Sequence, residues 1–99
     1  MDPLAKDILN FWFETTDVSA GFDKRTVWFR ATPEFDEQLV TQFTDVHAQA
    51  ASGALDRFMD IAEECLALIV SLDQFPRNIF RGTARAFATD AKAREIAIH

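Results

Sequence analysis

The chain has 99 residues, 48% of them hydrophobic and 26% charged, and a formal net charge of −6. That length holds one domain at most, and that balance belongs to a folded chain rather than a disordered one. It argues against nucleic-acid binding, which rests on Lys and Arg neutralising phosphates.

The longest unbroken apolar run, Cys65 to Val70, is far too short for a membrane span. A single cysteine, Cys65, precludes an intrachain disulfide. The N-terminus is acidic and amphipathic rather than leader-like, so the expected location is cytoplasmic. Ten Phe and two Trp with no Tyr supply large apolar area with few polar handles, which predicts an aromatic core.

Asp2-Pro3 reads as a helix start, a capping carboxylate followed by proline at the first helical position. Leu4, Ile8, Phe11 and Trp12 then recur at helical spacing and predict a helix over 3–14. Thr15 to Asp23 reads as a loop, and Val27-Trp28-Phe29 as an aromatic plug against the first helix. Thr32-Pro33-Glu34 repeats the start signal, with Glu34 and Asp36 in the first turn, where the helix dipole favours them. Phe35, Leu39, Phe43, Val46 and Ala50 continue the stripe to Ser52-Gly53, and His47 sits at its boundary.

A third helix is predicted over 54–73, amphipathic at first and apolar all round from Cys65 to Val70, as a central helix is. Pro76 disfavours the helical region at Phe75, so this helix should end near Asp73 or Gln74, with 75–81 as a tight connection. Thr83 then caps a last helix from 84 onward, whose packing stripe is Phe87, Ala91 and Ile98. The expected fold is all-α: antiparallel helical hairpins, tetratricopeptide-repeat-like, with about four main helices and the 54–73 helix central.

The chemistry concentrates directly after the apolar run, in Asp73, Gln74, Arg77, Asn78 and Arg81. Residues 73–99 carry five Lys/Arg against three Asp/Glu, while residues 1–72 carry five against thirteen. Arginine forks suit carboxylates and phosphates. Two readings follow. In one, Arg77 and Arg81 form structural ion pairs with Asp73 and Asp90 and cap carbonyls at the end of the third helix. In the other, the cluster lines an anion or peptide pocket with aromatic walls; Trp12 and Trp28 are candidates to line a ligand pocket, though core packing is the better reading of both.

No metal site is expected, since neither histidine belongs to His-Glu-x-x-His or Glu-x-x-His. No cofactor is expected either: the three glycines are isolated and form no phosphate loop. Cys65 lies in apolar surroundings, and no nucleophile motif is present, so no residue is assigned as catalytic.

The segments Phe11-Trp12-Phe13, Trp28-Phe29, Phe35-Asp36, Leu72-Asp73-Gln74-Phe75-Pro76-Arg77-Asn78, Arg81-Gly82-Thr83 and Ala86-Phe87-Ala88, with Asp90, together resemble the bacterial domain-of-unknown-function family 924. The resemblance implies a tetratricopeptide-like helical superfamily fold. It also implies that residues 1–99 are a single helical domain forming the N-terminal part of a domain roughly twice as long. Phe58 departs from the family's common Trp, a modest core change. The family carries no assigned activity.

The leading expectation is a non-enzymatic module that binds a peptide or protein, or pairs with itself as a homodimer through the 84–99 helix. The alternative is a small-molecule enzyme or anion-binding protein using the Asp73-Gln74-Arg77-Asn78-Arg81 cluster.

Overall fold

The computed structural model describes residues 2–13 and 33–98. The predicted loop and aromatic plug, Trp28 included, lie outside the described residues. All regular structure among the described residues is helical: α1 (Pro3–Phe13), α2 (Pro33–Ser52), a 3-10 turn (Asp56–Asp60), α3 (Ala62–Asp73), α4 (Phe75–Ile79), a second 3-10 turn (Ala84–Phe87) and α5 (Asp90–Ala97). Among these helices, none is long and apolar enough to cross a membrane.

The helix ends follow the local signals. Asp2 Oδ1 accepts the Leu4 N–H at 2.8 Å, capping α1. The Asp2 N–H in turn donates to Glu64 Oε2 at 2.8 Å, which pins the start of α1 to the first turn of α3. At the end of α2, Gly53 takes φ +94°, and the Ala54 N–H reaches back to the Gln49 carbonyl at 2.9 Å. This is the left-handed glycine stop that the sequence predicts. Lys92 of α5 donates to the Ala50 carbonyl at 2.8 Å. A cation thus sits at the negative end of the α2 dipole.

The apolar helix is central: α3 packs against α1, α2, α4 and α5. Its Ala67, Leu68 and Leu72 are fully buried. Phe75, just beyond it, is the aromatic hub. Its ring centre lies 4.9 Å from Phe43, 6.0 Å from Trp12 and 6.4 Å from Phe11. The first two helices are thereby joined to the start of α4.

Two helices differ from expectation. The predicted 54–73 helix is broken at Ile61, whose backbone is extended at φ −124°, ψ 130°. The break turns the preceding 3-10 segment so that Leu55 and Phe58 enter the core, and it leaves Ile61 48% exposed. The predicted last helix is likewise split, into the 3-10 turn and α5. Ala86, Ala93 and Ile96 face inward, while Phe87 and Ile98 are 57% and 86% exposed. The Phe87, Ala91, Ile98 stripe is therefore an outer face and not a packing face. Thr89, between the two pieces, is held by a hydrogen bond to α3 that fixes the phase of α5.

Candidate functional site

The corner between α3 and α4 is built around a missing donor. Proline has no N–H, so Pro76 leaves the Leu72 carbonyl without its helical partner. Thr89 Oγ1 takes that place, donating to Leu72 O at 2.6 Å from the loop before α5. The next carbonyl, Asp73 O, accepts from Arg77 Nε at 2.9 Å, while the Arg77 N–H itself goes to Gln74 O at 3.2 Å. Residues 75–81 are thus not simply a connection. Gln74 stays helical at φ −95°, ψ −46°, and α4 resumes at once, because side chains satisfy the carbonyls that the proline frees.

Arg77 faces the end of α3 and the start of α5. Its Nη2 lies 3.3 Å from both Asp73 Oδ1 and Asp90 Oδ2. Its guanidinium also covers the exposed ring of Phe87, 5.0 Å from the centroid. Gln74 Nε2 donates to the other oxygen of Asp73. Asp90 Oδ1 is buried without a partner among the described residues.

Arg81 departs from expectation. It pairs with neither Asp73 nor Asp90 but with Asp36 of α2, through Nε at 2.9 Å and Nη2 at 3.3 Å. The cause is the end of α4: Phe80, at φ −111°, ψ 27°, leaves the helix. Arg81 is consequently not stacked one turn above Arg77. Asn78 joins it, donating to Asp36 Oδ1 at 2.8 Å. Burial alone would push the Asp36 carboxyl up. The hydrogen bonds from Arg81 and Asn78, with the Arg81 charge, outweigh that and hold its pKa below the usual carboxylate value.

His47 is buried on the neighbouring side, more deeply than a boundary position implies. Its Nε2 lies 3.2 Å from Thr89 Oγ1. The single Thr89 hydroxyl proton is already given to Leu72 O, so Nε2 carries a proton and donates. Burial lowers the His47 pKa below the ordinary value, and the charge of Arg85 adds to that. Arg85 itself stacks 4.0 Å above Phe80, whose ring meets His47 edge-on at 5.4 Å.

The corner thus gathers Asp73, Gln74, Arg77, Asn78, Arg81 and Asp90, and adds Asp36, His47 and Thr89, which sequence reasoning did not assign to it. The proline signals that an outside donor is needed, which Thr89 supplies, without saying which residue it is; Asp36 and His47 are singled out by the sequence, but no local pattern places either at this corner. Trp12 is not at the site; it is core, 5% exposed, 6.0 Å from the rings of Phe35 and Phe75. Cys65 is half-buried against the core, where burial pushes its thiol pKa up. On the outside of the corner lies a shallow depression of about 520 Å³ bordered by Arg77, Arg81, Gly82, Thr83 and Phe87. Among the described residues no group of three or more His, Cys, Asp or Glu gathers to hold a metal.

Comparison with known proteins matches this architecture. A solved structure of a protein of unknown function from Agrobacterium tumefaciens superposes with a TM-score of 0.79 at 46% sequence identity. The match covers 96% of this chain and 49% of that one, so this chain spans about half the length of that relative. No curated protein matches. The model of the family described as bacterial protein of unknown function (DUF924) matches residues 8–99, and the chain belongs to that family.

Proposed function

We propose that this is a non-enzymatic helical module that binds a peptide or protein, and that the Asp73–Arg81 corner is the latch holding its shape. The observation that carries this reading is the contrast in pairing. In the corner, Arg77 and Arg81 are both engaged by carboxylates of the same chain, while large apolar side chains, Phe87 and Ile98, are turned outward a short way along the sequence. Arginines whose charge is already paired within the chain have less to gain from a ligand. Exposed apolar surface gains on being covered. A net charge of −6 argues against a nucleic-acid partner, and a cytoplasmic setting suits a chain with a single cysteine. We also propose that residues 1–99 act as one part of a longer helical domain, in keeping with a relative of about twice the length.

A second reading has its own support. Nη1 of Arg77 and Nη1 of Arg81 make no hydrogen bond among the described residues, and both side chains border the outer depression. A small anion is the ligand that geometry suits. Thermal-shift measurements against metabolite anions and against short apolar peptides separate the two. The module reading expects stabilisation by peptides, reduced in Phe87→Ala and Ile98→Ser. Stabilisation by anions alone, lost in Arg81→Ala, replaces it with the anion reading.

A further inference from the structure

The flank where α1 faces α2 holds an apolar groove. α1 turns Ala5, Ile8, Leu9 and Trp12 into the core, which leaves Leu4 and Phe11 half-buried at its edge. The facing edge of α2 is Phe43 and Val46. The Phe11 ring meets the Phe43 ring at 4.9 Å and closes the floor. These four side chains, with Asp7, Asn10 and Gln42 around them, border a depression of about 410 Å³. A second, of about 290 Å³, meets it at Gln42 and is bordered by Glu34 and Glu37.

The rim selects the occupant. Asp7, Glu34 and Glu37 are exposed, and no described residue forms an ion pair with any of them. Lys6, the cation beside Asp7 in sequence, borders neither depression. The apolar floor gains on being covered, and the carboxylates favour a cation in whatever covers it. Asn10 and Gln42 add side-chain amides that both donate and accept, as pairing with a peptide backbone requires. From Glu37 to Phe43 along α2 is about 9 Å of helix rise. An extended chain covers that in about three residues. One peptide segment therefore reaches both the floor and the acidic depression.

We propose that this groove is a peptide-docking surface, whose occupant seats an apolar side chain over Phe43 and Val46 and turns Lys or Arg toward Glu34 and Glu37. It rests on the reading of the protein as a peptide-binding module and adds a face distinct from Phe87 and Ile98. The contact is small, so binding is weak, with a Kd on the order of 100 µM.

Fluorescence anisotropy at low salt tests it, with labelled, end-capped, glycine-rich peptides. The first peptide carries one leucine with a lysine about three residues to either side. The second has glutamates in place of the lysines, and the third keeps the lysines and lacks the leucine. The first is expected to bind roughly tenfold tighter than either control. Its advantage over the glutamate peptide shrinks at about 1 M salt. Glu34→Lys with Glu37→Lys erases that advantage. Gln42→Trp, which fills the junction of the two depressions, weakens the first peptide about tenfold. All three positions are exposed, and circular dichroism checks the fold of each variant.

Equal binding of the lysine and glutamate peptides overturns the proposal, as does binding undiminished by loss of the leucine or by Gln42→Trp. No binding by any of the three overturns it as well. If apolar peptides then still stabilise the chain through Phe87 and Ile98, the module reading stands and only the groove is lost. If they do not, both fall.

Discussion

The corner at Pro76 and the outer face of α5 hold similar residues and treat them in opposite ways. Arg77 and Arg81 are each engaged by carboxylates of other elements, and the Leu72 and Asp73 carbonyls freed by the helix break are met by Thr89 and Arg77. Arg94 and Glu95 stand exposed, and no described residue forms an ion pair with either. The difference is one of demand. A proline-broken helix inside the fold leaves acceptors that must be satisfied or cost about 1–3 kcal/mol each. A solvent-facing helix leaves nothing unsatisfied, because water serves its side chains. Charges at the corner therefore serve the fold, while Arg94 and Glu95 on α5 are engaged in no ion pair by the described residues.

The largest expected effect sits at the inner side of the corner. Phe75 is fully buried among three other aromatic rings, so Phe75→Ala should remove about 3–5 kcal/mol of stability. Urea denaturation monitored by circular dichroism measures it. A loss below about 1 kcal/mol would mean that α4 is only loosely seated on α1 and α2.

Thr89→Val comes next. It keeps the side-chain shape but strips the Leu72 carbonyl of its donor and His47 Nε2 of its acceptor. The expected loss is about 1–3 kcal/mol. Thr89→Ser keeps the hydroxyl and should recover most of it. If Val and Ser behave alike, the proline-freed carbonyl is served by water, and the contrast between the corner and α5 narrows.

These two positions show what the sequence makes legible. That Phe75 opens α4 among three rings is not readable, since Pro76 argues against a helical Phe75, but the end of α3 before that proline is, from local pattern. The α2 stop at Gly53 and the α1 cap at Asp2 are readable for the same reason: each is a local rule about one turn of backbone. The partner of Arg81 is not readable, because Asp36 lies 45 residues away and its position fits a helix-dipole role equally well. Nor is the outward turn of Phe87, Ala91 and Ile98. Helical spacing marks a stripe without saying which side of the helix meets the core, and the Thr89 tether that decides it arrives from α3.

Arg81→Ala should cost less than Thr89→Val. Its side chain is 46% exposed, so solvent screens the pair with Asp36. About 0.5–1 kcal/mol is expected, from a contact better than a typical surface pair only in its forked geometry. The same variant should raise the Asp36 pKa, followed by the carbon chemical shift of its carboxyl. An unchanged value would remove Arg81 from the causes of its depression.

Acid titration separates the corner's groups by window. His47 is held below its ordinary pKa of 6.5 by burial and then by Arg85. As pH falls below 6.5, the unfolded chain takes up a proton that the folded chain does not, so stability falls with pH there. Asp36 is also depressed, from 3.8, and its contribution is lost only below that value. Denaturation midpoints at pH 7.5 and 5.5 therefore report His47 and leave Asp36 silent. In His47→Gln, whose amide can still donate to Thr89, the His47 part of that decline should vanish. If the slope is unchanged, the acid sensitivity belongs elsewhere.

The smallest expected effect is the most telling for the contrast. Arg94→Ala at low micromolar concentration, where any pairing has dissociated, should change unfolding free energy by no more than about 0.5 kcal/mol. Alanine is a good helix former, and the arginine has no described ion-pair partner to lose. A loss approaching that of Arg81→Ala would show that Arg94 is engaged within its own chain. The free charges on α5 would then be accounted for by folding, and the difference between the two regions would close from the α5 side. A null result leaves Arg94 as a charge the fold does not use, which is the condition any intermolecular role for it requires.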